Sequence, residues 1–291
     1  MVTSRKQSAA EHTGTQSIER ALRILRELAA RGEFGWRLSD LAARCDVDKG
    51  TVHRVLACLV RERFVQQRPT DKHYFPGPML YELGLSLPGY AAFQRACDAR
   101  LHKFAAGLDA IAWVILRSGN DYVCCSRQGT LELRGLMVQE GTRRPLFTSV
   151  GGVAILQTLP MLEADTILVD NERQEVAQRG DARLDALEKM RERSRRHRFG
   201  VNLGDVAPGV HAFALPLRGV DDRAMGALCL CGTPQQFPQA RVEEVRASMA
   251  PKAAAIEDDV RACLGSLLHF APPPATPSPS IACHVTPAGA L

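Results

Sequence analysis

Residues 38–65 read LSDLAARCDVDKGTVHRVLACLVRERFV, and this stretch decides the fold of the N-terminal part of the chain. Its pattern predicts a short helix with Ser39 as the N-cap, a brief break, and a longer helix over residues 49–63 that Asp48 caps. The apolar side chains of the longer helix cover one arc of a helical wheel: Val52, Val55, Leu56, Leu59 and Val60. A helix of this kind packs with one face and leaves the other face free.

The free face of the longer helix is basic. Arg54 and Arg61 lie nearly opposite the apolar arc, and Thr51 and His53 lie at its two edges. Such a face suits a helix that enters the major groove of DNA. A solvated surface helix would show the same pattern, so both interpretations stay open on these residues alone.

The segment before this stretch predicts another helix. Residues 17–32 read SIERALRILRELAARG, with apolar side chains at helical spacing. Ser17 is the expected N-cap, and Gly32 is the expected end. We predict that residues 1–15 are disordered.

Two short strands are predicted after the longer helix. Residues 64–67 (FVQQ) and 73–76 (HYFP) flank a polar turn that contains Pro69. Helix, short helix, break, longer helix and hairpin together outline a winged helix-turn-helix domain. We place this DNA-binding domain at residues 16–77.

The net charge supports a polyanionic partner for this domain. The 291-residue chain carries a formal charge of +5. Residues 1–77 hold 14 Lys/Arg and 9 Asp/Glu, and the remainder holds 23 of each. The whole excess therefore belongs to the first quarter of the chain, which is consistent with binding to nucleic acid.

A second domain follows a linker. Residues 78–108 predict apolar helices that are broken near Pro88, and we interpret them as a linker and dimerisation region. Strands and helices alternate over residues 109–268, which predicts an α+β domain with one sheet flanked by helices, similar to GAF or PAS sensor domains. Residues 269–291 are rich in proline and are predicted to be disordered.

The elements of the second domain are predicted from hydrophobic periodicity. Strands are expected at residues 110–119, 121–129, 133–141, 211–219 and 225–234. Helices are expected at residues 149–160, 182–200 (ending at Gly200) and 240–268. Residues 164–172 predict a helix end or a short strand, and residues 202–211 predict a loop.

The nine cysteines raise an alternative function. Their number is odd and they show no C-x-x-C spacing, so reduced thiols in a cytoplasmic protein are the simplest interpretation. In strands, Cys124 and Cys125 would point to opposite faces, whereas Cys229 and Cys231 would share one. The alternative is a thiol-based redox or metal sensor, or a GAF-type thiol enzyme, that uses these four residues.

Other classes of function find no support in the sequence. No apolar run is long enough for a membrane helix, and the N-terminus has no hydrophobic signal core. We find no nucleophile elbow, metalloprotease motif, phosphate loop or Rossmann fingerprint. We therefore expect no enzymatic activity, no metal and no cofactor.

Several stretches resemble the isocitrate lyase regulator (IclR-type) family of bacterial transcription factors. They are SIERALRILRELA, LSDLAARCDVDKGTVHRVLACLVRERFV, HYFPGPMLYELG, EGTRRPLFTSVGGVAILQTLP, and FGVNLGDVAPGVHAFALPLRG with MGALCLCG. The similarity extends over about residues 17–265. It implies a winged helix-turn-helix, a linker helix and a GAF-like effector domain, in a dimer or tetramer that responds to small organic acids or aromatic catabolites.

The chain departs from the family pattern at two places. Gly50 stands where the family usually has serine or another small polar residue. Residues 147–149 (Phe-Thr-Ser) and 152–153 (Gly-Val) stand where the family often has His-Ala-Thr and Gly-Lys. The second departure implies a more apolar pocket than one for a small, doubly polar ligand such as glyoxylate.

The DNA-binding candidates share a position on the longer helix, the wing or the first helix. They are Arg20, Lys49, Gly50, Thr51, His53, Arg54, Arg63, Arg68 and Lys72. Arginine can bind guanine through two hydrogen bonds, and a lysine at a helix N-terminus suits phosphate. For each charged residue, an ordinary surface charge is the alternative.

The effector-binding candidates come from segments that should converge on one pocket. They are Arg127, Leu146, Phe147, Ser149, Gly151, Gly152, Asn202, Asp205, His211, Ala212, Cys229 and Cys231. The resemblance implies that Cys229 and Cys231 replace two serines, and thiols are weaker hydrogen-bond partners than hydroxyls. Arg127 could pair with a ligand carboxylate. The alternative is that these residues are core or structural ion pairs.

The sequence thus predicts a ligand-responsive transcriptional regulator. Its predicted partners are double-stranded operator DNA, a small organic acid or aromatic catabolite, and a second copy of itself, with no role for a membrane. The sequence does not indicate whether it activates or represses transcription.

Overall fold

The computed structural model describes residues 7–30, 34–131, 133, 138–219 and 223–265. Its N-terminal part begins with helices α1 (Gln7–Ala30), α2 (Leu38–Cys45) and α3 (Lys49–Arg61). Strands β1 (Val65–Gln67) and β2 (Tyr74–Pro76) then form an antiparallel hairpin. This order confirms the predicted winged helix-turn-helix.

One apolar cluster holds these elements together. Its buried members are Ile24, Leu28, Trp36, Leu41, Ala42, Cys45, Val52, Leu56, Val65 and Tyr74. Asp48 caps α3 as predicted, because its carboxylate accepts a hydrogen bond of 2.8 Å from the backbone N–H of Thr51. Val60, which we predicted on the packing face of α3, is 37% exposed.

Two predicted helix starts in this domain are wrong. Helix α1 begins at Gln7, so the part of the predicted disordered segment from residue 7 onward is helical, and Ser17 lies inside the helix. Residues 7–16 contain no proline that would stop the helix there. Helix α2 begins at Leu38, since the N–H of Leu41 already bonds the carbonyl of Arg37, so Ser39 is not the cap.

Two linker helices connect the domains. Helix α4 spans Pro78–Gly84 and helix α5 spans Pro88–Leu108. Each has a proline in its first turn. A backbone N–H at that position would have no acceptor within the helix, so proline breaks no hydrogen bond there. The predicted break near Pro88 is therefore the start of α5.

The C-terminal domain contains a six-stranded antiparallel sheet in the order β5-β4-β3-β8-β7-β6. Its strands are β3 (Ile111–Ser118), β4 (Asp121–Gln128), β5 (Arg143–Pro145), β6 (Gly200–Leu203), β7 (His211–Arg218) and β8 (Ala224–Gly232). Its helices are α6 (Val150–Leu156), α7 (Met161–Arg179), α8 (Leu184–His197) and α9 (Val242–Leu264). A mixed domain with one sheet flanked by helices confirms the predicted fold class.

The sheet separates two apolar layers. One layer, which we call the α5/α9 face, packs under α5 and α9 and includes Phe93, Phe213 and Ile256. The other, the α6 face, packs under α6, α7 and α8 and includes Trp113 and Cys229. A β-bulge lies opposite Val114 and Ile115, because Ser126 and Cys124 are their partners and Cys125 has none.

The predicted element boundaries of this domain need four corrections. Of the strand predicted at 133–141, residues 134–137 lie outside the described residues, and residues 138–141 are not in a strand; the strand after β4 is β5. Residues 164–172 lie inside α7, whose buried positions Ile167, Asn171 and Glu175 follow a helical spacing of four. Arg198 ends α8 in the left-handed conformation, and Gly200 starts β6 instead of stopping the helix. The loop predicted at 202–211 therefore begins as a strand.

The predicted Pro-rich tail (269–291) also lies outside the described residues. Within the helices that are described, no segment combines the length and the apolar character needed to cross a membrane.

Candidate DNA-binding face and effector site

The outer face of α3 presents the predicted base-reading residues. Lys49, His53 and Arg54 are exposed, while Val52 and Leu56 on the opposite face are fully buried. The Arg54 guanidinium donates a hydrogen bond of 2.8 Å to the Thr51 hydroxyl. The anchored inner face thus holds the polar face in a fixed orientation.

Gly50 has a local explanation in the contacts around it. A Cβ at this position would lie 3.3 Å from the Asp48 carboxylate and 3.7 Å from the Arg54 guanidinium. The first distance is tighter than an ordinary van der Waals contact. Glycine therefore leaves room for the Asp48 carboxylate that caps the helix.

Arg20 of α1 lies near the same helix N-terminus. The pKa of Asp48 is lowered mainly by its hydrogen bonds with Thr51, and the charges of Arg54 and Arg20 add to that effect. The structure therefore brings Arg20 of α1 close enough to act electrostatically on Asp48 at the N-terminus of α3, although Arg20 is far from that helix in sequence.

The three cations that we predicted to contact DNA from the wing differ in their contacts with the rest of the chain. Arg68 forms a two-point ion pair with Asp71 at 2.9 and 2.6 Å and lies 4.7 Å above the centre of the Phe75 ring. Arg63 is paired with Glu82 of α4 at 2.5 Å. Lys72 is exposed and has no carboxylate partner among the residues that the structure describes. Of the three, Lys72 is the most available to a phosphate.

Strand register brings several predicted effector residues onto the α6 face. Arg127 pairs with Trp113, which pairs with Cys229 on the next strand. One row further along, Cys231 pairs with Ala212, which pairs with Asn202. Directly paired residues point to the same face of the sheet, so these side chains form two adjacent rows that run across the strands. Within a row, side chains on neighbouring strands lie about 5 Å apart.

Helix α6 approaches this face through its glycines. A Cβ at Gly151 would lie 2.6 Å from the Cys229 sulfur, and one at Gly152 would overlap the Leu146 carbonyl. Ser149 caps α6, because its hydroxyl accepts a hydrogen bond of 3.1 Å from the Gly152 N–H. The predicted segments around Gly151 and Cys229 therefore meet.

Three buried polar atoms near this side of the sheet have no hydrogen-bond partner within the described part of the chain. They are Arg127 Nε, Arg193 Nε and Asp205 Oδ2. Arg193 and Asp205 are paired with each other at 3.0 Å through their remaining atoms, and the adjacent residues 206 and 207 pack against the core of the α6 face. Buried polar atoms are rarely left unpaired, so such atoms point to a ligand or to water.

Other predicted effector residues have structural roles. Leu146 and Phe147 are core residues with 0% and 1% exposure. Asn202 holds its own loop, since its side-chain amide donates to the Val210 carbonyl at 3.3 Å and accepts from the Val206 N–H at 3.2 Å.

The placement of His211 in the effector pocket is wrong. Its Nδ1 lies 2.7 Å from the Phe237 carbonyl oxygen, on the α5/α9 face, whereas Ala212 faces α6. The physical reason is the alternation of side chains along a strand, which sends neighbouring residues to opposite faces.

Three further residues lie among the candidate effector residues, and the sequence analysis did not name them. Trp113 and the fully buried Tyr122 lie on the α6 face, and Arg193 reaches the Asp205 loop from α8. Trp113 and Tyr122 could have been found from the alternation along the hairpin β3–β4. Nothing in the local sequence indicates that Arg193 meets a residue twelve positions away.

Of the four thiols of the alternative function, Cys124, Cys229 and Cys231 are buried and Cys125 is partly buried. Burial raises the pKa of Cys124 and of Cys231 to about 12, and that of Cys229 well above its ordinary value. For Cys125, a hydrogen bond with Cys97 raises the pKa, and burial adds to this. Thiolates react and thiols do not, so these environments weigh against thiol chemistry. Among the described residues, no group of three or more His, Cys, Asp or Glu could hold a metal ion.

A surface groove lies elsewhere on the domain. It is lined by Arg95, Asp98, Ala99, His102, Lys103 and Gln128, along α5. None of the predicted effector residues lines it.

Comparison with family models covers most of the chain. Residues 17–69 match the model of the IclR helix-turn-helix domain. Residues 96–258 match that of the bacterial transcriptional regulator IclR C-terminal domain. The two matches correspond to the two domains of the fold.

This chain is similar to known regulatory proteins along most of their length. A glycerol operon regulatory protein of Streptomyces griseus is 26% identical over 265 residues, covering 85% of this chain and 97% of that protein. A probable transcriptional regulator of Cupriavidus necator, SauR, is 25% identical over 223 residues, covering 77% and 86%.

Solved structures share the fold. An IclR family transcriptional regulator from Brucella abortus has a TM-score of 0.66 at 19% identity, covering 84% of this chain and 92% of that one. An IclR homologue from Microbacterium hydrocarbonoxydans, complexed with 4-hydroxybenzoate, has a TM-score of 0.61 at 18% identity, covering 84% and 99%.

Proposed function

The chain belongs to the IclR family of bacterial transcriptional regulators, and on that premise we propose that it binds operator DNA through α3 and responds to an anionic small molecule bound at the α6 face. The transcriptional role and the helix-turn-helix DNA-binding domain follow from the family. The residues that contact DNA, the effector class and the assembly are our proposals.

The observation that carries the DNA-binding part is the exposed basic face of α3. Lys49 at the helix N-terminus would contact phosphate, and Arg54 would contact a base edge in the major groove. Arg20 and Lys72 would bind the backbone on either side, because α1 and the wing flank the same helix. Arg63 and Arg68 would contribute less, since each is already paired with a carboxylate.

Selection from a pool of random-sequence DNA duplexes tests this part. The wild-type chain should enrich an inverted repeat whose half-sites lie about one helical turn apart. Arg54→Ala should fold normally by circular dichroism and lose this enrichment. Arg241→Ala is the matched control, because Arg241 is an exposed arginine outside the DNA-binding domain. Enrichment of the same sequence by Arg54→Ala would contradict the role of Arg54.

The observation that carries the effector part is the buried, unpaired Nε of Arg127. Among the described residues, its side chain donates one hydrogen bond, to the Gly129 carbonyl at 3.3 Å. Its row across the strands continues through Trp113 to Cys229. A carboxylate could bind the guanidinium, and an aromatic ring could pack against Trp113 and the weakly polar thiols. The unpaired Asp205 oxygen could accept a hydrogen bond from a hydroxyl on the same ligand. A structural neighbour was solved with 4-hydroxybenzoate, which has both groups.

Thermal shifts with matched ligands test this part. Benzoate and 4-hydroxybenzoate should raise the melting temperature, and the corresponding neutral amides should not. Ligand at 100 times its Kd stabilises by about 2.7 kcal/mol, which is easily measured. The shift should disappear in Arg127→Met and persist in Arg117→Met, whose arginine is engaged with Glu163. A shift that survives in Arg127→Met, or no shift with either acid, would refute this assignment.

Self-association through the linker completes the proposal. Apolar side chains of this region are exposed on the single chain, namely Tyr81, Leu83, Leu85, Leu87 and Tyr90. Exposed apolar clusters of this kind mark contact surfaces. A second copy that covers them would place two α3 helices on one duplex, as an inverted repeat requires.

A further inference from the structure

Helix α7 carries a stripe of apolar side chains on its outer side. Leu162 is 82% exposed, and Val169 and Val176 are 45% and 43% exposed. The three residues are seven positions apart, so they lie within a narrow arc along the whole helix. The opposite side of α7, with Ile167 and Asn171, is buried against the domain. The stripe therefore does not serve the core of its own chain.

Two opposite charges lie beside the stripe. Asp165 and Arg173 are exposed and fall within the same arc of about 100°. Arg173 makes no hydrogen bond or ion pair with any residue that the structure describes. Asp165 acts only weakly, through its charge, on Arg191 of α8. Both charges are thus available to a partner.

The stripe is complementary to itself under a two-fold rotation. Leu162 and Val176 are each seven residues from Val169, and Asp165 and Arg173 are each four residues from it. If two copies of α7 cross antiparallel at Val169, Leu162 faces Val176 of the second copy and Asp165 faces its Arg173. Each pair then occurs twice, which is the property of an isologous interface.

We propose that α7 binds α7 of a second copy of the chain in this antiparallel arrangement. The reciprocal charges select a second copy over an unrelated partner, because only a symmetric contact uses both Asp165 and Arg173 twice. One helix face falls short of the roughly 1,600 Å² that a typical stable interface buries. The α7 contact therefore joins chains that are already held together elsewhere, and extends a linker-mediated dimer to a tetramer. Only the extension from a dimer to a tetramer depends on the self-association through the linker that we proposed above.

Cross-linking at the symmetry axis tests the contact directly. Val169→Cys, with the exposed Cys58 and the tail residue Cys283 replaced by serine, should form a disulfide between chains under mild oxidation, because the two Cβ atoms would lie about 4 Å apart. Ala182→Cys is the control, since residue 182 is exposed and lies beyond the end of α7. The proposal expects a covalent dimer only at residue 169. Equal cross-linking at the two positions, or none at either, overturns it.

Charge exchange tests the arrangement. Arg173→Asp places like charges opposite each other and should weaken the larger assembly at least about tenfold in sedimentation experiments. Asp165→Arg combined with Arg173→Asp restores both pairs with reversed sign and should recover the assembly. A double variant no better than the single one overturns the antiparallel pairing.

A linker variant separates the two interfaces. Leu85→Asp should disrupt the linker contact proposed above. Persistence of the residue-169 disulfide in that background supports an independent α7 contact. Because the α7 contact is too small to hold two chains together alone, the disulfide should need a higher protein concentration in that background than in the parent. Its absence there even at high protein concentration, with the disulfide present in the parent, overturns the α7 contact without affecting the linker contact.

Discussion

The two faces of the C-terminal sheet are built from the same strands but differ in composition and in how completely their polar atoms are paired. The α5/α9 face is covered by two long helices and filled by aromatic and aliphatic side chains such as Phe93, Phe213 and Ile256. The α6 face is covered by a shorter helix with glycines, and it carries buried thiols and the unpaired Nε of Arg127. One face is thus filled by apolar side chains, whereas the other retains polar atoms without partners among the described residues, which is why we propose that the ligand binds there.

The largest expected effect is a loss of stability on the α5/α9 face. Phe213→Ala removes a fully buried ring and should lower the free energy of unfolding by about 3–5 kcal/mol. Urea denaturation measures this. The benzoate-induced thermal shift of the remaining folded protein should be unchanged, because Phe213 points away from α6. Loss of that shift would break the proposed division between the two faces.

A pair of helical glycines gives the next largest effect. A Cβ at Gly152 would overlap the Leu146 carbonyl, whereas one at Gly107 in α5 meets nothing within 4 Å. We expect Gly152→Ala to destabilise by about 2–3 kcal/mol. Gly107→Ala should stabilise by about 0.5–1 kcal/mol, because alanine is the better helix former.

Denaturation of the two glycine variants in parallel tests this pair. Equal effects would show that α6 can shift away from the sheet. The close approach of α6 to Cys229 would then not be a fixed feature of the site.

The sequence allowed prediction of those features that depend on local patterns. The cap at Asp48, the buried face of α3 and the hairpin β3–β4 follow from spacing of two or 3.6 residues and from capping chemistry, and all are present. The placement of Cys124 and Cys125 on opposite faces follows from the same alternation. Assignment of both His211 and Ala212 to one pocket ignored it and was wrong for His211.

Features that depend on contacts between distant residues could not be predicted. The pairing of Arg193 with Asp205 depends on how α8 packs against β6, and the position of Arg20 near Asp48 depends on how α1 crosses α3. Low polarity alone also misled the assignment of residues 164–172, because a short apolar run fits a strand as well as a helix.

Two partly buried arginines near the α6 face should differ in their contribution to stability. Arg193 is paired with Asp205, with 21% and 12% of the two side chains exposed. Arg193→Met would leave that carboxylate buried and unpaired, and should cost about 1–2 kcal/mol. Arg127→Met removes a guanidinium whose Nε is unpaired and whose hydrogen bond to the Gly129 carbonyl is 3.3 Å long, and should change stability by less than about 0.5 kcal/mol.

Urea denaturation of the two arginine variants without ligand measures this difference. A cost for Arg127→Met as large as that for Arg193→Met would show that Arg127 stabilises the fold, and would remove it as the ligand-binding arginine.

Burial of the thiols of the α6 face also predicts alkaline destabilisation. Burial raises the pKa of Cys231 from the ordinary 9.0 to about 12. The unfolded chain therefore loses this proton at a lower pH than the folded chain does. The contribution of Cys231 to stability is complete below about pH 9 and is lost as the pH rises toward 12.

The difference in unfolding free energy between about pH 8 and about pH 10.5 should thus be smaller in Cys231→Ala than in the wild type. Cys58→Ala is the control, because Cys58 is exposed and should leave the difference unchanged. At about pH 8, iodoacetamide should modify Cys58 and spare Cys231 in the native protein, as mass spectrometry can show. Rapid native modification of Cys231 would contradict its burial, and would return the α6 face to the thiol-based alternative that its geometry now disfavours.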